Sequence, residues 1–500
     1  MSSPRHNLLN KEAKKMTEET WTTKMKEYLQ LITVEPTMIF YMMAFMITSI
    51  VEQAFFVHKA CTVNHGFNET VCDNLVEDQY KELNKEVQLT VSEFHQWNDI
   101  AGHLGQIILA FFMGAWADRR GRKLPLTLGL IGKFYYSTMI IVNSQQKDWP
   151  VEYIIYTATI PMTITGADVA IFAAAFTYIT DVSSPENRTL RVTILEVCYL
   201  ATMPTGIALG KVLYSNVTNK SYSIMFTINA SLLFIGIIYT LLRLKWRTNE
   251  KQRPLSEANN IFTDFFDLNH VVQTFQTILK KRRNRKRTYL FLLIFAMAFY
   301  TFQRDEKPMM YLYVQLVLKW GFDQFSNFKT YVSALQDVFL LCAIPLMSKY
   351  FGWRDTYIML FGALCHLIAR IFYATAQVGW LLYIGGAFAA FGPVVAPVIR
   401  SIVSKMISSD ERGKIFSILA VADNAIPIVS GTLYSQVYNA SIHTHPAAIY
   451  YLTIGTQVMV FLAALYIHFT TTNEDLIHDE TDVIESCIEN DDNTTTQEKD

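Results

Sequence analysis

The chain has 500 residues, 51% of them hydrophobic and only 17% charged, and 43 lysines and arginines against 44 aspartates and glutamates leave a net charge of −1. Soluble proteins carry about a quarter charged residues, so this composition excludes an ordinary soluble globule, and the charge balance excludes a basic nucleic-acid binder. Six cysteines in this length exclude a disulfide-stapled secreted module; a polytopic membrane protein remains.

A membrane helix needs about 20 mainly apolar residues to cross about 30 Å of hydrocarbon. Residues 1–33 are polar and charged, with no apolar core or small-residue cleavage site, and read as a cytosolic tail. Apolar runs follow near 37–57, 97–117, 124–143, 153–180, 191–213 and 223–243, and again near 288–317, 328–348, 356–376, 380–402, 414–436 and 447–469. Twelve runs predict an all-α membrane protein with two pseudo-symmetric six-helix bundles, 34–243 and 288–470, joined by a cytosolic linker over 244–287. In the linker, Phe262, Phe265, Phe266, Val272, Phe275 and Leu279 recur at helical spacing, which predicts an amphipathic helix on the inner membrane surface. The last segment, 471–500, is acidic and reads as a disordered cytosolic tail.

Basic residues set the orientation. Positions 280–287 hold seven positive charges, Arg243, Lys245 and Arg247 flank the sixth run, and the loop after the second run reads ADRRGRK. Twelve crossings put these loops and both termini on one side, the cytosol. The largest opposite loop, about 58–96, contains the glycosylation sequon Asn68-Glu69-Thr70. Asn216 and Asn439 begin further sequons expected in shorter loops on that side. Cys61 and Cys72 share this oxidising side, where they either pair or stay free; no cysteine has metal-site spacing, and no metal or cofactor is expected.

The loop between the second and third runs reads Gly114-Ala-Trp-Ala-Asp118-Arg-Arg-Gly121-Arg122-Lys123, the pattern G-x-x-x-D-R-x-G-R-[RK]. Glycines permit a tight turn and close helix approach, and an Asp118–Arg122 pairing would latch the cytosolic side; a generic basic turn is the alternative. Val34-Glu35-Pro36 opens the first run, Asp181-Val-Ser-Ser with Arg188-Thr189 follows the fourth, Leu195-Glu196 lies in the fifth, and Pro397-Val-Ile-Arg400 ends the tenth. On these segments the chain resembles the major facilitator superfamily and, within it, solute-carrier family 46, the proton-coupled folate transporter and its relatives, from 34 to 470. The resemblance implies proton-linked movement of folates, steroid sulfates or muropeptides. It implies that Asp118, Arg122 and Asp181 belong to the gate, Glu196 to proton coupling, and Arg400 to substrate and proton handling. The folate carrier's acid in span four would align with Ala167, beside Asp168; its span-seven histidine has no counterpart; and Lys319 replaces the cysteine of its long-range disulfide.

Ionisable groups at bilayer depth usually face a cavity or a partner. Glu52, His103, Lys133, Asp168 and Glu196 occur in the first half, and Arg304 to Lys307, Asp337, His366, Arg370, Arg400 and Asp423 in the second. Arg400 offers a permanent cation with a planar fork suited to an anion, or else snorkels at the inner leaflet. Glu196 reads as a proton carrier or a structural ion pair. Asp168 reads as a substrate or proton site, or as the partner of Lys133. His366 and Arg370 share a helix face; the histidine is a pH sensor or a packing residue. The Arg304-Asp-Glu-Lys307 run before Pro308 predicts a broken helix beside a cavity, with Arg304 and Lys307 as further anion contacts, or else a span that ends there.

These readings converge on a secondary active transporter moving a small organic anion by alternating access, with a proton gradient as driving force. The alternatives are an uncoupled facilitator or a transport-inactive receptor or scaffold with the same fold. The absence of P-loop, HExxH and GxSxG motifs argues against an enzyme. Plasma membrane and lysosomal or endosomal membrane remain equally open, and the protein is expected as a monomer or weak homo-oligomer.

Overall fold

The computed structural model describes residues 32–183, 187–248, 252–257, 260, 264–266, 272, 285–407 and 409–471. The N-terminal tail, the acidic tail and most of the linker lie outside the described residues; of the amphipathic segment expected in the linker, residues 264–266 and 272 are described.

Among the described residues, twelve long helices follow one another. They are α1 (Glu35–Lys59), α2 (Lys81–Arg120), α3 (Lys123–Gln145), α4 (Ile155–Asp181), α5 (Arg188–Val212) and α6 (Tyr222–Arg243). The second set is α7 (Lys286–Phe302 and Glu306–Val317), α8 (Phe322–Pro345), α9 (Asp355–Thr375), α10 (Gly379–Met406), α11 (Ser409–Ser441) and α12 (Ala448–Thr470). Pro36 sits in the first turn of α1, where its missing N–H costs nothing. α2 has 40 residues and is thus about 60 Å long, twice the hydrocarbon thickness. Its first turns therefore stand clear of the membrane, and residues 81–96 of the expected outer loop are helical.

Two spans are broken at mid-depth. α4 passes through Gly166 at φ +78, a left-handed conformation natural to glycine, before its second half restarts at Ala167. α7 is interrupted by the tight turn Gln303–Asp305, as its charged run predicts. Each break puts ionisable side chains at a helix end inside the bundle, where backbone groups released from the ladder can be re-satisfied.

The first six helices pack mainly on each other, as do the last six. Two seams join the halves: α2 runs along α11, and α5 along α8. Among the described residues, eight helices are apolar and long enough to cross a membrane by composition alone. The other four, α2, α7, α8 and α11, carry charges at mid-length and include three of the four seam helices. Polar spans thus face the middle of the molecule.

At the end away from the basic loops, the outer end, the seams are tied shut. Gln88 Nε2 donates to the Leu312 carbonyl at 3.1 Å, Tyr438 donates to Gln88 Oε1 at 2.6 Å, and the Ser92 and Ser435 hydroxyls lie 2.7 Å apart. Lys211 reaches Asn327 at 2.8 Å, and Tyr214 meets Phe322 at 4.6 Å between ring centres.

Candidate functional site

A cavity of about 280 Å³ lies within the first bundle at mid-depth, lined by α1, α2, α3, α4 and α6. Its polar wall is a chain of pairs. Lys133 of α3 donates to Asp168 Oδ2 of α4 at 2.9 Å, and the Tyr41 hydroxyl of α1 donates to Asp168 Oδ1. Glu52 of α1 accepts from the Tyr136 hydroxyl. The Lys133 amine also lies over the rings of Phe45 and Tyr136, 5.6 and 5.9 Å from their centres. The break at Gly166 puts Asp168 in the first turn of the second half of α4, where the helix dipole favours an anion.

His103 connects this wall to the other bundle. Its Nδ1 lies 2.9 Å from the Asp99 carbonyl, which can only accept, so Nδ1 carries the hydrogen. That leaves Nε2 to accept from Arg304 of α7 at 3.2 Å. Asp305, the neighbour of Arg304, accepts from Ser430 of α11. The two halves therefore meet at mid-depth through Arg304, one of the residues the sequence singles out.

The remaining charges of the second bundle are largely engaged with each other. Arg370 donates to Glu306 at 3.3 Å and to Gln303 at 2.8 Å, and Glu306 also accepts from Thr453. Lys307 lies within electrostatic reach of Glu306 and Arg370 and has no hydrogen bond or ion pair among the described residues. Arg400 pairs with Asp423 of α11 at 3.1 Å, and Asp423 accepts from Thr301 at 2.7 Å. Glu196 is exposed and within electrostatic reach of Arg400, so these two sequence-predicted residues come together across the bundles. They are absent from the lining of the cavity that holds Asp168. His366 is 3% exposed and stacked 5.7 Å from Tyr300, apart from that cavity as well.

At the inner end, Arg122 binds Asp118 and reaches Asp181 of α4 at 3.1 Å, and Thr248 donates to the same Asp181 oxygen at 2.9 Å. Gly121 turns the chain at φ +100, and an added Cβ would collide with the Trp246 carbonyl. Gly114 differs from the expectation of close helix approach: a Cβ there would have no neighbour within 4 Å. Lys123 does what the motif did not suggest. It donates to the Leu241 and Leu244 carbonyls at 2.7 and 2.8 Å, capping the C-terminus of α6.

The linker joins this network. Asp264 accepts two bonds from Arg120, at 2.8 and 2.7 Å, and one from the Trp116 indole at 3.0 Å. Phe265 packs on Trp116 and Phe266 on Phe112. The Arg120 hydrogen bonds hold the Asp264 carboxyl below the usual carboxylate range.

On the outer side Cys61 and Cys72 are bonded, with Cα atoms 5.8 Å apart. Asn68 and Asn216 are exposed. Asn439 corrects its expected loop placement: it lies in the last turn of α11 with a buried side-chain oxygen. Lys319, in the place of the resemblance's cysteine, pairs with Asp78 at 2.6 Å.

Sequence reasoning missed four contributors. Asp99, near the start of the expected run 97–117, is not among the sequence candidates; it lies midway along α2, which begins at Lys81, and lines the cavity. Lys329, at the start of the expected run 328–348, is two turns into α8 and within electrostatic reach of Lys307. Tyr41 and Tyr136 lie within apolar runs, and only the fold discloses their carboxylate partners.

The chain is similar to several transporters. It is 24% identical over 434 residues to the probable peptidoglycan muropeptide transporter SLC46 of Drosophila melanogaster, covering 84% of this chain and 82% of that one. It is 23% identical to the proton-coupled folate transporter of Bos taurus, over 76% and 79% of the two chains. It is 22% identical to the lysosomal proton-coupled steroid conjugate and bile acid symporter SLC46A3 of Gallus gallus, over 83% and 89%. Among solved structures, the D-xylose-proton symporter superposes with a TM-score of 0.62 at 15% identity, over 89% of this chain and 97% of that one, which speaks to the fold alone. The family model of the Major Facilitator Superfamily matches residues 36–376, most of the chain, and with two six-helix bundles meeting along α2–α11 and α5–α8 the protein belongs to that superfamily of membrane transporters.

Proposed function

We propose that this transporter carries a small organic anion by alternating access in symport with protons, with both termini in the cytosol. The observation that supports it most is the Lys133–Asp168 pair in the wall of the mid-depth cavity. Glu52, Asp99 and Asp168 all line that cavity, so an arriving anion meets carboxyls as well as the cations Lys133 and Arg304. A proton on Asp168 removes the charge that holds Lys133 and frees the amine for the anion. Anion and proton then bind with positive linkage. The closed outer seam makes this arrangement inward-facing, and release to the cytosol lets Lys133 return to Asp168. Arg400 and Glu196, nearer the inner end, would receive the anion on its way out. The Asp118–Arg122–Asp181 group, joined within the first bundle here, would gate the inner end when the second bundle closes onto it in the outward-facing state.

Names among the relatives point to three probe classes: a muropeptide, a folate and a steroid conjugate. The test is uptake of each into proteoliposomes with the outer medium acidic or neutral. Faster accumulation of an anionic probe from the acidic side supports the reading. Uptake indifferent to the proton gradient would reduce the protein to a facilitator, and no uptake of any anion would remove the proposed substrate class.

A further inference from the structure

Near mid-depth, the α5–α8 seam holds a carboxyl that the cavity does not use. Asp337 of α8 is 8% exposed, and both its carboxyl oxygens are buried with no hydrogen-bond partner among the described residues. Here α8 packs against α5 of the other bundle and against α10. Few ionisable groups face it. From α5, Tyr199 is within electrostatic reach, and Glu196, one turn earlier, acts on the same tyrosine. From α10, Arg400 also reaches Tyr199 but is committed to Asp423 of α11. Tyr383 of α10 packs with Phe328 and Tyr331, further toward the outer end of α8. No charged group of α1, which also touches α8, acts on Asp337.

A carboxylate stripped of water, with neither cation nor donor, is among the costliest groups a protein can bury, while the neutral acid costs far less. The seam is also a surface that must change when two bundles rock against each other. We propose that Asp337 is a second proton-carrying residue of the transport cycle, protonated while α5 and α8 are packed as here and able to exchange its proton when that seam opens. In the exchange the acid O–H bond breaks, the proton passes to water, and the carboxylate left behind is hydrated; nothing is oxidised or reduced. The role rests on the proton-coupled reading above and adds to it a site outside the Lys133–Asp168 cavity.

The test uses the full chain in proteoliposomes and needs no substrate. Ser92→Cys with Ser435→Cys, cross-linked where the two hydroxyls now touch, holds the outer end closed; reduction releases it. Infrared difference spectra are recorded as the medium is brought from acidic to neutral. In the linked protein, a carboxylic-acid carbonyl band should persist at neutral pH, disappear in Asp337→Asn and return in Asp337→Glu. In the reduced protein the same band should fade as pH rises. A spectrum unchanged by Asp337→Asn, or a band that titrates alike in linked and reduced protein, overturns the proposal. Either result leaves the anion-uptake assay free to succeed, whereas failure of that assay to show proton dependence removes the coupled cycle and this role with it.

Discussion

Asp168 makes two bonds that compete with any substrate, one to Lys133 and one to the Tyr41 hydroxyl. Asparagine in its place keeps the shape and one acceptor oxygen but loses the charge that proton binding would cancel. Asp168→Asn should therefore abolish the acceleration of anion uptake by an acidic outside, leaving a pH-flat rate; a coupling of about 1–3 kcal/mol corresponds to a loss of roughly 5- to 150-fold in proton stimulation. Uptake of the anionic probe measured across a pH series checks this, and a stimulated mutant would move the coupling elsewhere. Gly210 makes a different kind of demand. It lies where α5 crosses α1, and an added Cβ would strike the Ile47 carbonyl, a backbone atom that cannot swing aside. Gly210→Ala should cost about 1–3 kcal/mol by overpacking and lower the melting temperature of the purified protein; an unchanged melting curve would mean the helices separate freely there.

Helices show what the amino-acid order discloses and what it withholds. The apolar runs locate all twelve long helices because crossing hydrocarbon takes about 20 mainly apolar residues each. They miss the first turns of α2, since residues 81–96 are largely polar yet helical. The Arg304 to Lys307 run announces the break in α7 directly, because four charges cannot continue an apolar span. By contrast, Arg400 with Asp423 and Glu52 with Tyr136 are pairings between helices, and no local periodicity encodes them. The linker illustrates a docked element. Asp264 is gripped by Arg120 and Trp116, and its depressed carboxyl contributes stability above the ordinary carboxylate range that is lost only as pH falls through the lowered value. Hydrogen exchange at 264–266, corrected for its intrinsic rate, should stay slow at neutral and mildly acidic pH and rise only below about pH 4. Asp264→Ala should speed it at neutral and mildly acidic pH, by an amount corresponding to about 1–3 kcal/mol for charge-assisted bonds, with the difference shrinking as the wild-type carboxylate protonates. Exchange insensitive to that substitution would mean that the aromatic contacts of Phe265 and Phe266 alone hold the linker.

The whole molecule is closed at the outer end, where Gln88, Ser92, Tyr438 and Ser435 stitch α2 to α11. If transport requires the bundles to rock, fixing that end must stop it. The Ser92→Cys, Ser435→Cys double variant, once oxidised, should lose net uptake almost completely and regain it on reduction. Persistent uptake through the cross-linked protein would rule out alternating access about this seam. Superfamily membership establishes a transporter, and the charged cavity supports a proton-linked anion as its cargo; the two motions should then be visible together. The most direct measurement follows external pH in a weakly buffered suspension of proteoliposomes when a muropeptide, folate or steroid-conjugate probe is added with no gradient imposed. The account predicts that a transported anion draws protons in with it, so that the medium turns alkaline in step with uptake. Anion uptake with no accompanying proton movement would contradict it.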